Sequence, residues 1–74
     1  MRIKNLLGMQ VLDIDAKNIG KVDDVDFDEQ SGQIKKLAVS LKKNILSNDE
    51  VLVRFDDIKS IGDYVLLKTN LDLQ

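Results

Sequence analysis

The apolar residues of this chain recur mostly at every second position, which is typical of short β-strands with one buried face. The alternation predicts five strands and one helical turn. The strands are expected at 9–13, 19–28, 33–41, 50–54 and 64–68, and the helical turn at Phe55–Ile58. The last residues show no clear period, although Leu71 and Leu73 are candidates for a sixth, short edge segment.

The second strand contains a slip in this alternation. Val22 and Val25 lie three positions apart, whereas Val25 and Phe27 keep the spacing of two. A β-bulge near Asp23-Asp24 would produce this slip, because one extra residue moves the following side chains to the other face. The turn sequence 29–32 then predicts an antiparallel hairpin between the second and third strands.

Many short strands joined by tight turns predict an all-β fold, a small antiparallel barrel of about six strands. The barrel is expected to form a single domain over residues 1–74, with its main part at about 6–68. The inward aliphatic side chains form the predicted core, which comprises Val11, Ile19, Val22, Val25, Phe27, Leu37, Val39, Val51, Val53, Ile58, Ile61, Val65 and Leu67.

Leu52 and Leu66 do not fit this core, because they would point outward from strands whose inner faces are already apolar. Together with Ile45 and Leu46 in the loop after the third strand, they are predicted to form an exposed apolar interface for a partner. The alternative is that Leu52 and Leu66 lie beneath that loop or beneath the N-terminal arm. The sequence leaves both interpretations open.

The composition limits how so small a domain can be stabilised. The chain has 74 residues, and a single core of this size rarely supplies more than about 3–5 kcal/mol. It contains no Cys and no His, so disulfides and zinc sites are excluded. Association of two copies is therefore the expected source of further stability. The absence of Cys also fits a cytoplasmic protein.

The charge balance points away from nucleic acid as a general partner. Eleven Lys and Arg against thirteen Asp and Glu give a net charge of -2, whereas nucleic-acid-binding domains normally carry a basic surface. The longest apolar runs have three residues, and the N-terminus is too short and polar for a signal peptide, so no membrane insertion is expected. A protein partner is the expectation.

The most conspicuous candidate site is an acidic run in the second strand. Asp24, Asp26 and Asp28 have the opening spacing of a calcium-binding loop, but Glu29 and Lys35 occupy the positions where that loop needs Gly and Glu. On a strand, the three aspartates form a solvent-exposed face. A lysine across the hairpin, Lys35 or Lys36, is expected to offset their repulsion.

No catalytic arrangement is expected. Asp56 and Asp57 are an adjacent carboxylate pair, yet no nucleophile, His or glycine-rich loop accompanies them, and one of them is better placed to cap the helical turn. The chain is therefore predicted not to be an enzyme and to have no cofactor and no metal. The lysines around the third strand lack neighbouring aromatic residues in the sequence, which speaks against RNA recognition.

Three motifs in a fixed order resemble the PRC-barrel family. They are "IGKVDDVDFD" at 19–28, the turn "SGQI" at 31–34 and "FDDIKSIGDYVLL" at 55–67. The resemblance covers about residues 6–68 and is strongest for the short stand-alone members typical of archaea. Family members often have Pro where this chain has Arg54, a change that an extended backbone tolerates. The resemblance implies a PRC-type β-barrel and carries over no catalytic residue.

The resemblance and the residues together give two function hypotheses. The first is a non-enzymatic protein-interaction module or adaptor that acts as a homodimer, because PRC-barrels serve as docking platforms and some archaeal members are tied to cell division. The alternative is an accessory protein in RNA metabolism, because the same fold forms half of a ribosome-maturation factor. That alternative rests on likeness of fold alone.

Overall fold

The computed structural model describes residues 1–41 and 49–71, and within them the chain forms a six-stranded sheet with two short helical segments. The elements are α1 (Ile3–Leu6), β1 (Gln10–Leu12), β2 (Asn18–Phe27), β3 (Ile34–Leu41), β4 (Glu50–Arg54), a 3₁₀ turn (Phe55–Asp57), β5 (Ile58–Ile61) and β6 (Val65–Leu67). Neither helical segment is long and apolar enough to cross a membrane.

The sheet has the strand order β4-β3-β2-β1-β6-β5. Every pairing is antiparallel except β1 with β6, where Val11 lies beside Val65 in parallel register. The prediction of an all-β fold is confirmed, whereas the closed antiparallel barrel needs correction: the sheet is mixed and open. The 3₁₀ turn carries the chain from one edge strand, β4, to the other, β5, and these two do not pair within the described residues.

The predicted bulge in β2 is confirmed. The pairing of β2 with β3 shifts by one residue between Val22 and Asp24, so that Asp23 is the extra residue. A second shift follows, because Asp26 pairs with Lys36 while Phe27 pairs with Ile34. The extra residue of this second shift is Lys35 on β3, and Phe27, at the end of β2, is 64% exposed. The assignment of Phe27 to the core is therefore wrong.

The core lies on one face of the sheet. It consists of Leu6, Val11, Ile19, Val22, Leu37, Val39, Val53, Val65 and Leu67, all of which except Leu6 belong to the predicted core. Val25, Val51, Ile58 and Ile61 pack against this cluster half-buried. Burying a Val or Leu side chain is worth about 1.5–3 kcal/mol, so this cluster is the main source of folding free energy.

Four further features differ from the sequence prediction. The spacing within α1 and β5 is not alternating, and the sequence pattern predicts neither element. The capping role given to Asp56 or Asp57 is wrong: Arg54 occupies the N-cap of the 3₁₀ turn, and no side chain caps it. Of the C-terminal segment, Leu71 is not in a strand, and residues 72–74 lie outside the described part.

The turn between β1 and β2 is organised by a buried carboxylate. Asp13 is 5% exposed, and its Oδ1 accepts the backbone N–H groups of Asp15 and Lys17 at 2.9 Å each. These two bonds hold Ala16 in the left-handed region at φ 64°. Asn18 adds a third local bond, because its Oδ1 accepts the N–H of Gly20 at 3.1 Å. Asp13 itself belongs to the predicted first strand.

At Gly20 the backbone of β2 approaches the backbone of β3 very closely. Gly20 pairs with Val11 of β1 and with Leu41 of β3 at φ 153°, which L side chains rarely adopt. A Cβ atom at this position would collide with the backbone carbonyl of Ser40, and no side-chain rotation relieves such a contact. Gly20 is therefore required by the packing of β2 against β3.

We expect Gly20→Ala to destabilise the fold by about 2 kcal/mol or more, since the new methyl group forces β2 and β3 apart. The melting temperature should fall by roughly 10 °C. Gly62→Ala is the matched control, because a Cβ there meets no atom within 4 Å and the backbone is not strained. Equal melting temperatures for the two variants would contradict this account of Gly20.

Candidate interaction surface

The structure does not bring the residues of the predicted interface together. Leu52 is 53% exposed in the middle of β4, whereas Leu66 is half-buried in β6. Three strands of the sheet lie between them. Ile45 and Leu46 lie outside the described residues. The interface assignment therefore stays a prediction, with Leu52 as its one well-exposed described member.

A larger apolar surface, which sequence reasoning missed, lies where α1, the end of β2 and the start of β3 meet. We call it the apolar end. Its side chains are apolar and at least partly exposed, and Phe27 is the most exposed of those within the sheet. The members are Met1, Ile3, Leu7, Phe27, Ile34 and Phe55.

The helix α1 is held against the sheet by its backbone and by one side chain. The N–H of Gly8 donates to the carbonyl of Val22 at 2.7 Å, and the N–H of Val22 donates to Met9 at 2.9 Å. Leu6 is 3% exposed and enters the core, whereas Ile3 and Leu7 remain 49% and 42% exposed. The single helical turn thus divides its apolar residues between the core and the surface.

The hairpin that positions Phe27 and Ile34 is tied across its base. The N–H of Asp28 donates to the carbonyl of Gln33 at 2.7 Å, and Gly32 donates back to Asp28 at 2.6 Å. The Asp28 carboxylate accepts the N–H of Gln30 at 2.9 Å, and this bond lowers the pKa of Asp28. The carboxylate therefore supports the turn when ionised, and this support is lost as the pH falls through the lowered pKa.

Three adjoining grooves open at the apolar end, and all of them are lined by Ile34. The first, of about 190 Å³, lies between Met1, Ile3 and Phe55. The second, of about 390 Å³, runs past Leu7 and Phe27. The third, of about 650 Å³, passes along the start of β3 to the 3₁₀ turn. Open grooves of this kind suit the side chains of a macromolecular partner.

The third groove is positively charged although the chain as a whole carries a net charge of -2. Lys35, Lys36 and Arg54 line it, and Asp56 is its single acidic residue. Arg54 and Asp56 approach to 3.6 Å, but both side chains are largely exposed, so this ion pair contributes little. The apolar end therefore has a cationic border along one side.

An acidic cluster lies at the start of β4, at the end of the strand opposite Arg54. The protonated Glu50 carboxyl shares a hydrogen bond with Asp23, and the negative charges of Asp23 and Asp24 act in the same direction, so the pKa of Glu50 is raised. Asp24 and Asp26 are exposed, as expected for a solvated face, and Asp26 pairs with Lys36 across the hairpin. Within the described residues, no group of three or more potential ligands is arranged to hold a metal ion.

Comparison with known proteins identifies the family. The family model described as PRC-barrel domain matches residues 1–74, and the chain belongs to this family. No curated protein matches the chain. Its fold is similar to that of a crystal structure from Pseudomonas aeruginosa described as a 16S ribosomal RNA processing protein, RimM, with a TM-score of 0.67 and 17% sequence identity. The match covers 90% of this chain and 42% of that chain, so this chain spans less than half of RimM.

We expect Glu50→Gln to stabilise the fold at pH 7, because it removes a negative charge beside Asp23 and Asp24. The rise in melting temperature should be on the order of 1–3 °C at low protein concentration. The raised pKa means that the repulsion is fully present above the folded-state pKa, declines as the pH falls through it, and is absent below the ordinary value of 4.5. The gain should therefore disappear below pH 4.5.

Glu29→Gln provides the control for this measurement, since it removes the same charge from an exposed turn. A thermal scan of both variants from pH 3.5 to 7.5 separates the local effect from the change in net charge. A gain at pH 7 that is equal in the two variants would contradict the assigned repulsion at Glu50.

Proposed function

We propose that this chain is a non-enzymatic protein-interaction module that acts as a homodimer and binds a protein partner at the apolar end. The observation that carries the proposal is the exposure of Phe27, at 64%, beside Ile3 and Leu7. Contiguous apolar surface of this kind on a soluble domain marks an interaction site more often than chance.

The charges around the apolar end indicate the chemistry of the partner. The cationic border formed by Lys35, Lys36 and Arg54 is complementary to acidic side chains. The grooves beside Phe27 and Ile3 accept apolar ones. A protein segment in which apolar residues alternate with or adjoin Asp and Glu fits both parts of the surface.

Composition supports the non-enzymatic part of the proposal. The chain has neither Cys nor His, so general acid-base catalysis would fall to carboxylates, amines or the single tyrosine. The same composition excludes the disulfides and zinc sites that stabilise many small domains, which favours association of two copies.

Selection of peptides from a displayed random library tests the apolar end and requires no candidate partner at the outset. We expect the native chain to enrich peptides that combine aromatic or aliphatic residues with Asp and Glu. Phe27→Ser should abolish the enrichment while it changes stability by no more than about 0.5 kcal/mol, because the side chain is largely exposed.

Ile14→Ser is the matched control, since Ile14 is 42% exposed but lies in the turn at the other end of β2. It should leave the selected peptides and their affinity unchanged. Equal binding of the selected peptides to the Phe27→Ser variant would overturn the assignment of the apolar end.

The second candidate function is an accessory role in RNA processing. Two observations favour it: the similarity in fold to RimM, and the position of Phe55 beside Lys35 and Lys36 in one groove. No aromatic residue adjoins these lysines in the sequence, yet the fold brings one beside them. A base stacked on Phe55 with phosphates on the lysines is a common mode of single-stranded RNA binding.

Filter binding to 16S ribosomal RNA at two salt concentrations tests this second candidate. If RNA is the ligand, affinity should fall steeply with salt, and the double variant Lys35→Glu, Lys36→Glu should weaken binding at least about tenfold at low salt. No retention of RNA at low salt would remove the candidate.

The biological setting that we propose, archaeal cell division in the cytoplasm, rests on the resemblance to the short archaeal members of the family. Enriched peptides that match a cytoplasmic segment of a division protein, and whose purified parent protein binds the native chain, would support this setting. Enrichment confined to unrelated sequences would speak against it.

A further inference from the structure

The edge strand β4 has a self-complementary sequence. It reads Glu50-Val51-Leu52-Val53-Arg54, so that an antiparallel copy in register about Leu52 places Leu opposite Leu and Glu opposite Arg. β4 is the first strand of the sheet and pairs only with β3 among the described strands. With respect to the described residues, its outer edge therefore presents unpaired backbone groups to a further strand.

The hydrogen-bond pattern shows which backbone groups face outward. The N–H of Leu41 donates to the carbonyl of Asp49 at 2.9 Å, and these two residues are in the same register as the rest of the β3–β4 ladder. Hydrogen-bonded and non-hydrogen-bonded pairs alternate along an antiparallel ladder. Val51 and Val53 therefore bond to β3, while the N–H and C=O groups of Glu50, Leu52 and Arg54 point away from it.

The side chains at the two ends of β4 carry charges that are poorly balanced within one chain. Arg54 pairs across the ladder with Lys36, a like charge, and its largely exposed contact with Asp56 at 3.6 Å offsets this only a little. Glu50 lies beside Asp23 and Asp24, which are also like charges. Cross-strand neighbours of the same sign are unfavourable, so each end of β4 would gain from a strand of opposite charge order.

We propose that two copies of the chain pair antiparallel along β4, with a two-fold axis at Leu52, to form one continuous sheet. Each Glu50 then lies opposite Arg54 of the second copy, and the two Leu52 side chains face each other. This inference specifies the homodimer of the proposed function and depends on that dimer. The pairing uses the edge strand and leaves Phe27 and Ile3 of the apolar end free for another partner.

Other pairings of the described edges are less favourable. A shift of two residues along β4 places Glu50 opposite Leu52 and leaves an Arg54 without its acidic partner. A shift of four residues places Glu50 against Glu50, or Arg54 against Arg54. The opposite edge strand, β5, carries Lys59 and no acidic residue, so self-pairing there gains no charge complementarity, and an edge lysine opposes pairing.

Charge reversal tests this register. Glu50→Arg alone places Arg against Arg across the axis, and Arg54→Glu alone places Glu against Glu. We expect each single variant to raise the dimer dissociation constant at least about tenfold in sedimentation measurements over a dilution series. The double variant should return it to within about threefold of the native value, because both pairs are restored with reversed polarity.

An equimolar mixture of the two single variants provides a stricter test. One copy then offers two arginines and the other two glutamates, so a heterodimer should form that neither variant forms with itself. Native mass spectrometry separates the heterodimer from both homodimers by mass. Misfolding does not explain such an outcome, and Glu50→Arg should stabilise the isolated chain by removing the repulsion from Asp23.

Amide hydrogen exchange supplies an independent readout of the same contact. The N–H of Leu52 should exchange rapidly in dilute solution and at least about tenfold more slowly in the dimer, whereas the N–H of Val51, bonded to β3, should be protected in both. Unchanged exchange at Leu52 on dimerisation would overturn the pairing.

The outcomes also separate this inference from the proposed function. If the native chain dimerises and neither charge reversal changes its dissociation constant, the β4 pairing is overturned but the homodimer is not. A native chain that stays monomeric at about 1 mM would overturn both the pairing and the homodimer. Peptide binding at Phe27 is measured separately and is affected by neither result.

Discussion

The sheet depends on how closely β2 approaches β3 at Gly20. β2 is the longest strand and pairs on both sides, with β1 through Gly20–Val11 and with β3 through Gly20–Leu41. A side chain at this point would occupy the position of the Ser40 carbonyl, so the three strands can share one ladder only because residue 20 has none. Ile19 and Val22, close to this contact in β2, are both buried.

The hairpin of β2 and β3 contains two bulges, and it ends at the exposed apolar surface. The extra residue at Asp23 keeps Val22 and Val25 directed toward the core, as a long curved strand requires. The second shift, with Lys35 as the extra residue of β3, lies at the end of the ladder, where Phe27 is exposed. Because the core does not bury Phe27, a binding partner can gain free energy by covering its apolar surface. Phe27 is the most exposed aromatic residue of the described chain.

The bounds of β2, β3 and β4 could be predicted from the sequence because each has an alternating apolar face. The exposure of Phe27 could not be predicted from its own strand, where Phe27 continues the alternation from Val25. The second bulge did have a signal, because Ile34 and Leu37 are three positions apart, the same slip that indicates the first bulge. α1 and β5 were missed because Ile3–Leu6 and Ile58–Ile61 also have a spacing of three. The parallel pairing of β1 with β6 joins strands that are far apart in the sequence, and no local sequence pattern indicates it. For that reason the sequence predicts an antiparallel barrel, whereas the structure has an open, mixed sheet.

Likeness of fold does not decide between a protein and an RNA partner, because the similarity to RimM, at 17% sequence identity, is one of fold alone. The decision rests on which part of the apolar end is used. An RNA strand would need Phe55 and the cations beside it, and would gain nothing from Phe27 and Leu7, which line a separate groove. A protein segment can use both parts at once. The exposure of apolar side chains on the side without cations is therefore the reason to favour a protein, since a nucleic acid leaves that area in contact with water.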